Sequence, residues 1–185
     1  EGDLAEVFAV PDEAVDAPLG GVARVARQVT GKPLLAGNRV VPLPDGDTAY
    51  PAMLAAIDAA ELSVTLLTYI FHNDAVGEAF VQALTRAQAR GVEVRVLIDA
   101  VGSRYRPTGV LRRLKALGIP CAAFLPPSFT RVLSHVNLRN HRKILVVDGA
   151  VGFTGGMNIS ANHWISRQPA TPVHCLHFEQ SHQLS

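Results

Sequence analysis

Three apolar, β-branched runs over 62–71, 92–99 and 119–125 alternate with two helix-patterned segments over 75–90 and 108–117, and this order admits few folds. Neighbouring parallel strands need a long crossover, which a helix supplies, so strand–helix–strand–helix–strand predicts parallel pairing with helices packed on the sheet. The punctuation agrees. Asp74 stands where an N-cap belongs, Gly91 ends the first helix at the position that favours positive φ, and Gly118 stops the second. Upstream, a strand over 39–43 precedes Asp47, read as the N-cap of a helix over 51–60 in which Met53, Leu54 and Ile57 share a face. The predicted class is α/β: a mixed, mostly parallel sheet flanked by helices, with one β-hairpin following a loop over 126–140. At 185 residues, 48% of them hydrophobic, the chain can bury one sizeable core. The expected organisation is a leader over 1–35 with one short helix at 22–29, a lobe over 36–165 and a divergent tail over 166–185.

The hairpin carries the chemistry. Ile144, Leu145, Val146 and Val147 read as a strand ending at Asp148-Gly149, a dipeptide suited to a two-residue turn. Side chains two apart share a strand face, so His141 and Lys143 project together. A two-residue loop would set Val147 opposite Ala150, Leu145 opposite Gly152, Lys143 opposite Thr154 and His141 opposite Gly156, leaving room for a ligand beside the imidazole. A neutral imidazole can attack phosphorus and carry the phosphoryl group, dividing one hard displacement into two easier ones. Lys143 is a compact charge for non-bridging oxygens, the Gly155-Gly156 backbone can approach a phosphate closely, and Asn158 offers amide donors. Asp148 is expected first to hold the loop by accepting backbone N–H groups, with at most an indirect part in catalysis. The catalytic set is therefore His141, Lys143 and Asp148, with Gly155, Gly156 and Asn158 binding substrate, and it points to phosphodiester chemistry.

His141-Arg142-Lys143, four apolar residues, Asp148-Gly149 and then Gly155-Gly156-Met157-Asn158 resemble the HxKxxxxD signature of the phospholipase D superfamily, most closely in its bacterial cardiolipin synthases. The likeness runs from about residue 37 to residue 164 and includes Gly46-Asp47, Leu67-Thr68-Tyr69-Ile70-Phe71, the stretch from Arg90 to Asp99, and Asn140. It implies phosphatidyl transfer between two phosphatidylglycerols, giving cardiolipin and glycerol through a phosphohistidine, with no metal and no cofactor. By that resemblance the motif histidine is the nucleophile or its acid/base partner, the lysine and asparagine bind phosphate, and two motif copies face each other in one site. The partners it implies are a phospholipid, a second motif-bearing lobe in the same longer chain or in a homodimer, and a membrane surface on its cytoplasmic side.

Three features depart from that pattern. There is one His-x-Lys motif, whereas the family's mechanism needs a second histidine to protonate the leaving group, so half an active site is present. No Asp or Glu lies between Gly149 and Phe178, and Cys175 stands where the family places an acid that orients a catalytic histidine. The likeness fades after Trp164. These features read as a truncated or altered first half of a two-lobe enzyme, with the leader as a tether to an upstream membrane segment. Two other readings stand beside the transferase: a homodimeric single-motif phosphodiesterase or nuclease, the one version with a nucleic-acid partner, and an inactive module that binds anionic phosphate or lipid.

The net charge of +1 gives no strong overall field, but its distribution is uneven. Glu1, Asp3, Glu6, Asp12, Glu13 and Asp16 make the leader acidic, while Arg104, Arg106, Arg112, Arg113, Lys115, Arg131, Arg139, Arg142 and Lys143 gather later. That basic half either attracts an anionic lipid or nucleic acid or is a set of solvated faces. Cys121 and Cys175 imply no disulfide framework and fit a reduced setting. No apolar run reaches eighteen residues, so no spanning helix is expected within this sequence. His174, Cys175, His177 and His182 imitate a zinc cluster, but their spacing matches no closed four-ligand site, and no metal is expected. Asp99 ends a strand, where it lines a site or caps a turn at Gly102; His72 and His135 adjoin loops at strand ends; Tyr69 is read as a core aromatic.

Overall fold

The computed structural model describes residues 17–32, 35–99, 109–124, 140–164 and 175–180. The described residues fall into two compact units, one within 40–179 and one holding those of 17–39 with residue 180. In the smaller unit, helix α1 (Ala17–Thr30) extends beyond the expected 22–29 on both sides and leaves Leu19, Val22, Val25 and Val29 exposed.

The larger unit is organised by a seven-stranded sheet whose spatial order is β1-β7-β6-β5-β2-β3-β4. Its strands are β1 (Asn38–Leu43), β2 (Ser63–Thr68), β3 (Glu93–Asp99), β4 (Cys121–Phe124), β5 (Ile144–Val147), β6 (Val151–Gly155) and β7 (Cys175–Gln180). Helix α2 (Gly46–Ala59) precedes β2, α3 (Ala75–Ala89) connects β2 to β3, and α4 (Gly109–Ala116) lies between β3 and β4. As the alternation predicts, β2, β3 and β4 run parallel; β5 then returns antiparallel to β2, followed by antiparallel β6 and β7. The sheet is mixed, as expected, but not mostly parallel, because among these five pairings two are parallel and the three made by β5, β6 and β7 are antiparallel.

Alternation fixes which face is covered. Val64 and Leu66 of β2, Val94, Val96 and Ile98 of β3, Leu145 and Val147 of β5, and Phe153 of β6 are buried, whereas Thr65, Glu93 and Arg95 between them are exposed. The buried set packs with Tyr50, Met53 and Ile57 of α2, Phe80 and Leu84 of α3, and Leu114 of α4 in one cluster. Each large side chain removed from water there contributes roughly 1.5–3 kcal/mol. Tyr50 and Phe80 meet edge to face at 5.8 Å and 85°, which locks α2 to α3.

Three sequence expectations change. The N-cap of α2 is Asp45, not Asp47: its carboxylate accepts from the Thr48 N–H at 2.9 Å, so the helix starts at Gly46 and Pro51 falls inside it. The hairpin register is shifted by one, with Val147 opposite Val151, Leu145 opposite Phe153 and Ile144 opposite Thr154. Asp148 and Gly149 do take the positive φ of a tight turn (52° and 71°), and the Ala150 N–H closes it on the Val147 carbonyl at 3.1 Å, but Ala150 is left over as an extra residue. Burial decides the shift, because this register puts Leu145 and Phe153 together in the core while the expected one would have set Leu145 against Gly152. Finally, residues 166–185, read as a divergent tail, contribute β7, which pairs with β6 from Val151↔Glu179 to Gly155↔Cys175.

Candidate active site

Three segments meet at one end of the sheet: residues 69–74 after β2, residues 140–143 before β5, and residues 155–164 after β6. The first and third are stitched by a parallel bridge, Phe71↔Ile159, in which the Ile159 N–H donates to the Ile70 carbonyl (3.0 Å) and the His72 N–H to the Ile159 carbonyl (2.9 Å). Two glycines allow the helices to abut them. A Cβ on Gly77, in the first turn of α3, would lie 1.8 Å from the His72 carbonyl oxygen, and one on Gly46, which opens α2, would lie 2.4 Å from that of His163.

At the centre, Lys143 is buried while His141 beside it is exposed. The ammonium Nζ donates to the His141 carbonyl at 2.8 Å and lies 3.0 Å from Nδ1 and 3.3 Å from Nε2 of the same ring. An ammonium has only N–H groups to offer, so the ring nitrogen that meets it does so with a lone pair. Tyr69 completes the group: its ring lies 4.7 Å from the imidazole, tilted by 51°, and 5.3 Å from Nζ. The reading of Tyr69 as a plain core aromatic is thereby corrected. Beneath the ammonium is an apolar cavity lined by Leu66, Thr68, Phe153, Met157 and Cys175. Burial pulls the Lys143 ammonium below the ordinary lysine range, and among the described residues no carboxylate forms an ion pair with it.

Asn158 is anchored from several sides. Its Oδ1 accepts from the Ile70 N–H at 3.1 Å, its carbonyl accepts from the Tyr50 hydroxyl at 2.7 Å, and its own N–H donates to His163 Nε2 at 3.3 Å. Because the Ile70 N–H requires an acceptor, the carboxamide is oriented with its NH₂ turned away from that bond. The Tyr50 hydroxyl also reaches the Ser160 carbonyl at 2.8 Å, and burial pushes its phenol well above the ordinary range. Ser160 Oγ lies 3.0 Å from His72 Nδ1 and accepts from the Asn162 N–H at 3.2 Å, capping the short 3₁₀ turn Ala161–His163. Asp74 serves twice, capping α3 through the Gly77 N–H (3.0 Å) and accepting from the Ala161 N–H (2.8 Å).

Asp148 stands at the other end of β5. Its carboxylate accepts three backbone N–H groups from the start of β2: Ser63 at 2.7 Å, Leu62 at 2.8 Å and Glu61 at 3.0 Å. Burial pushes its pKa up, but the three donors together outweigh that and hold it below the ordinary aspartate range. The expected bonds to backbone are present, made to a neighbouring strand. Asp99, buried at the end of β3, accepts from the Asn140 N–H at 3.1 Å, so one of its contacts is to the segment that leads into His141; Gly102, the turn proposed for it, lies outside the described residues.

The expected residues are thus divided. His141 and Lys143 come together, Asn158 is held by the adjoining loop, Gly155 ends β6 beside the cavity, and Asp148 stands apart at the far end of β5, bound to backbone N–H groups. Cys175, buried with its thiol pushed up to about 11, lines the cavity, while His177 stacks on Phe153 at 4.6 Å and 6°. His135, His174 and His182 lie outside the described residues. Tyr50, Ser160 and His163 gave no signal in the sequence, because each reaches Asn158 or its loop by a hydrogen bond that no local pattern marks.

Residues 53–170 match the family described as "Cardiolipin synthase, PLD-like domain". The chain is 38% identical over 152 residues to cardiolipin synthase A of Pseudomonas aeruginosa (strain LESB58), an alignment covering 82% of this chain and 31% of that protein. It is 34% identical over 136 residues to cardiolipin synthase of Geobacillus kaustophilus (strain HTA426), covering 74% and 27%. The chain therefore spans about a third of the length of the curated relatives it matches. In fold it is similar to Nuc from Salmonella typhimurium, a phospholipase D family member (TM-score 0.57, 21% identity, 80% and 86% of the two chains), and to NucT from Helicobacter pylori (TM-score 0.60, 15% identity, 77% and 86%).

Proposed function

Because this chain belongs to the family of cardiolipin synthase phospholipase D-like domains, we propose that it is one catalytic lobe of a phosphatidyltransferase that works on phosphatidylglycerol. The observation that carries this reading is the buried Lys143 ammonium: among the described residues it has no carboxylate partner, and it lies against an exposed imidazole. A desolvated cation without an anion is costly, and a phosphodiester oxygen supplies the missing charge.

In this reading the Lys143 ammonium turns from the His141 ring to a non-bridging oxygen of the substrate, the ring nitrogen so freed on the neutral imidazole attacks phosphorus, the bond from phosphorus to the headgroup glycerol oxygen breaks, and that oxygen takes a proton from an acid on a second motif-bearing lobe. The hydroxyl of a second phosphatidylglycerol then attacks the phosphohistidine, loses its proton to the same group, and leaves as cardiolipin while the imidazole is restored. Lys143 and the Asn158 NH₂ hold the non-bridging oxygens, where negative charge must be stabilised. Gly155 and Gly156 let the phosphate approach, and Asp148 fixes the hairpin that carries the nucleophile. The second lobe is supplied by a longer chain or by another copy. Such chemistry takes place at a membrane surface, on its cytoplasmic side in this reading; among the described residues no helix is long and apolar enough to cross one.

The test is incubation with phosphatidylglycerol labelled at phosphorus, followed by acid treatment of the protein and light scattering for mass. Acid-labile label that vanishes in His141→Ala supports a working nucleophile, and the mass separates a shared dimeric site from a half-site. Absence of label in a protein that still binds inorganic phosphate leaves a binding module, and absence of both overturns the reading.

A further inference from the structure

We propose that His163 is a positioning residue: its neutral Nε2, by accepting the Asn158 backbone N–H, fixes the Asn158 carboxamide in the orientation that meets a phosphate. This inference rests on the phosphate-binding role of Asn158 proposed above and extends it to a residue outside the signature. The contact is 3.3 Å long and joins two residues of one loop, so its significance depends on how firmly the ring is seated. The turn that carries the ring is held at four backbone points. The His163 carbonyl is pressed against Gly46 so closely that no Cβ fits there, the His163 N–H donates to the Ser160 carbonyl, Ser160 Oγ caps the turn, and Asp74 takes the Ala161 N–H. With the turn pinned, Nε2 is presented from a fixed backbone, and the Asn158 N–H meets it there.

That peptide plane sets the side chain. The Asn158 N–H belongs to the bond from Met157, which is buried, while the carbonyl on its other side is held by Tyr50. Both peptide planes flanking the Asn158 Cα are therefore held, and Ile70 then selects the carboxamide rotamer. Without the acceptor at Nε2 the first plane is free to tilt and the N–H is left without its partner. The ring is neutral at neutral and alkaline pH: burial comes first in pulling it below the ordinary histidine range, and His72 and Lys143 add to that. Charged and titratable groups on the surrounding elements are Lys143 before β5, His72 after β2, Asp74 at the cap of α3, and Asp45, Asp47 and Tyr50 at the start of α2. A protonated ring would bring a positive charge of its own to the site, so the positioning effect is isolated at pH 8.

The full chain, labelled with ¹⁵N, decides the matter in two measurements at pH 8. Inorganic phosphate should bind His163→Phe about tenfold more weakly than wild type, as loss of one hydrogen bond implies, and His163→Gln, whose Oε1 can replace Nε2, within about threefold of wild type. The Asn158 amide resonance should move in His163→Phe, hold in His163→Gln, and follow the His163 ring through an acid titration of the wild type. Equal affinity in His163→Phe, equal loss in both variants, or an Asn158 amide indifferent to the ring would overturn the inference. If wild type binds no phosphate while the Asn158 amide tracks His163, the phosphate site is wrong and the positioning stands.

Discussion

The two ends of β5 carry charges of opposite sign in opposite circumstances. At one end the Lys143 ammonium is buried against His141 with no carboxylate among the described residues; at the other the Asp148 carboxylate accepts three backbone N–H groups. Both charges belong to the one signature, yet only the first is incomplete. A charge whose bonds are complete holds a fold, and a buried cation that has hydrogen bonds but no counter-anion is suited to an anionic ligand. If that contrast is sound, substitutions at the two ends should separate binding from stability.

The largest effect is expected at the lysine. Lys143→Met keeps the length of the side chain and removes the charge, so inorganic phosphate should bind about 100-fold more weakly, the equivalent of about 3 kcal/mol for a charge-assisted contact. The urea midpoint should hold or rise, since a desolvated cation has been removed. Calorimetric titration and urea unfolding of the same sample check both halves. A variant that loses stability and keeps its affinity would make the lysine structural and erase the contrast.

Asp148→Ala should do the reverse. Loss of three hydrogen bonds to a charged acceptor, at donors that water can partly reach, should lower stability by about 2 kcal/mol while phosphate affinity of the folded protein changes less than twofold. The pH dependence has a definite sign. The folded pKa of Asp148 lies below its ordinary value of 3.8, so its contribution is fully present above 3.8 and is lost as pH falls through the folded value. The stability difference between wild type and Asp148→Asn, about 1 kcal/mol at pH 7, should therefore shrink in acid below pH 3.8, as urea unfolding across pH 2–7 would show. A difference that persists at pH 2 would mean that the carboxylate is not what the three N–H groups are reading.

How much of this was legible follows from where each signal is stored. The strand–helix alternation, the Asp74 cap and the Gly91 and Gly118 stops are local, and all are found as read. The pairing of His141 with Lys143 is also local, since the two lie two residues apart, although β5 begins only at Ile144 and the ammonium turns back onto His141 from outside the strand. The register was not, because the Asp148-Gly149 turn is compatible with either count and only the burial of Phe153 against Leu145 selects one. β7 was missed because Cys175–Gln180 holds no β-branched residue to announce a strand before its neighbour β6 is in place. Tyr50 and Ser160 meet across the core and Asn140 reaches back to Asp99, contacts between segments that a single sequence does not pair.

The smallest effect tests the turn between the two ends. Gly149 has φ of 71° and nothing within 4 Å of the position a Cβ would occupy, so Gly149→Ala meets no clash and should cost only the conformational penalty, about 1 kcal/mol. Gly149→Asn, which tolerates the left-handed region better, should recover about half of that. Asp148, already at φ 52° without being glycine, is held there by its three N–H donors. In an Asp148→Ala background that restraint is gone, and the turn is free to relax into a looser loop in which residue 149 no longer needs positive φ. Gly149→Ala should then cost measurably less than in wild type, by about 0.5 kcal/mol in a double-mutant cycle read by urea unfolding. Strict additivity would mean that the carboxylate holds β2 alone and the turn holds itself, which would detach the Asp148 end of β5 from the hairpin it is argued to fix.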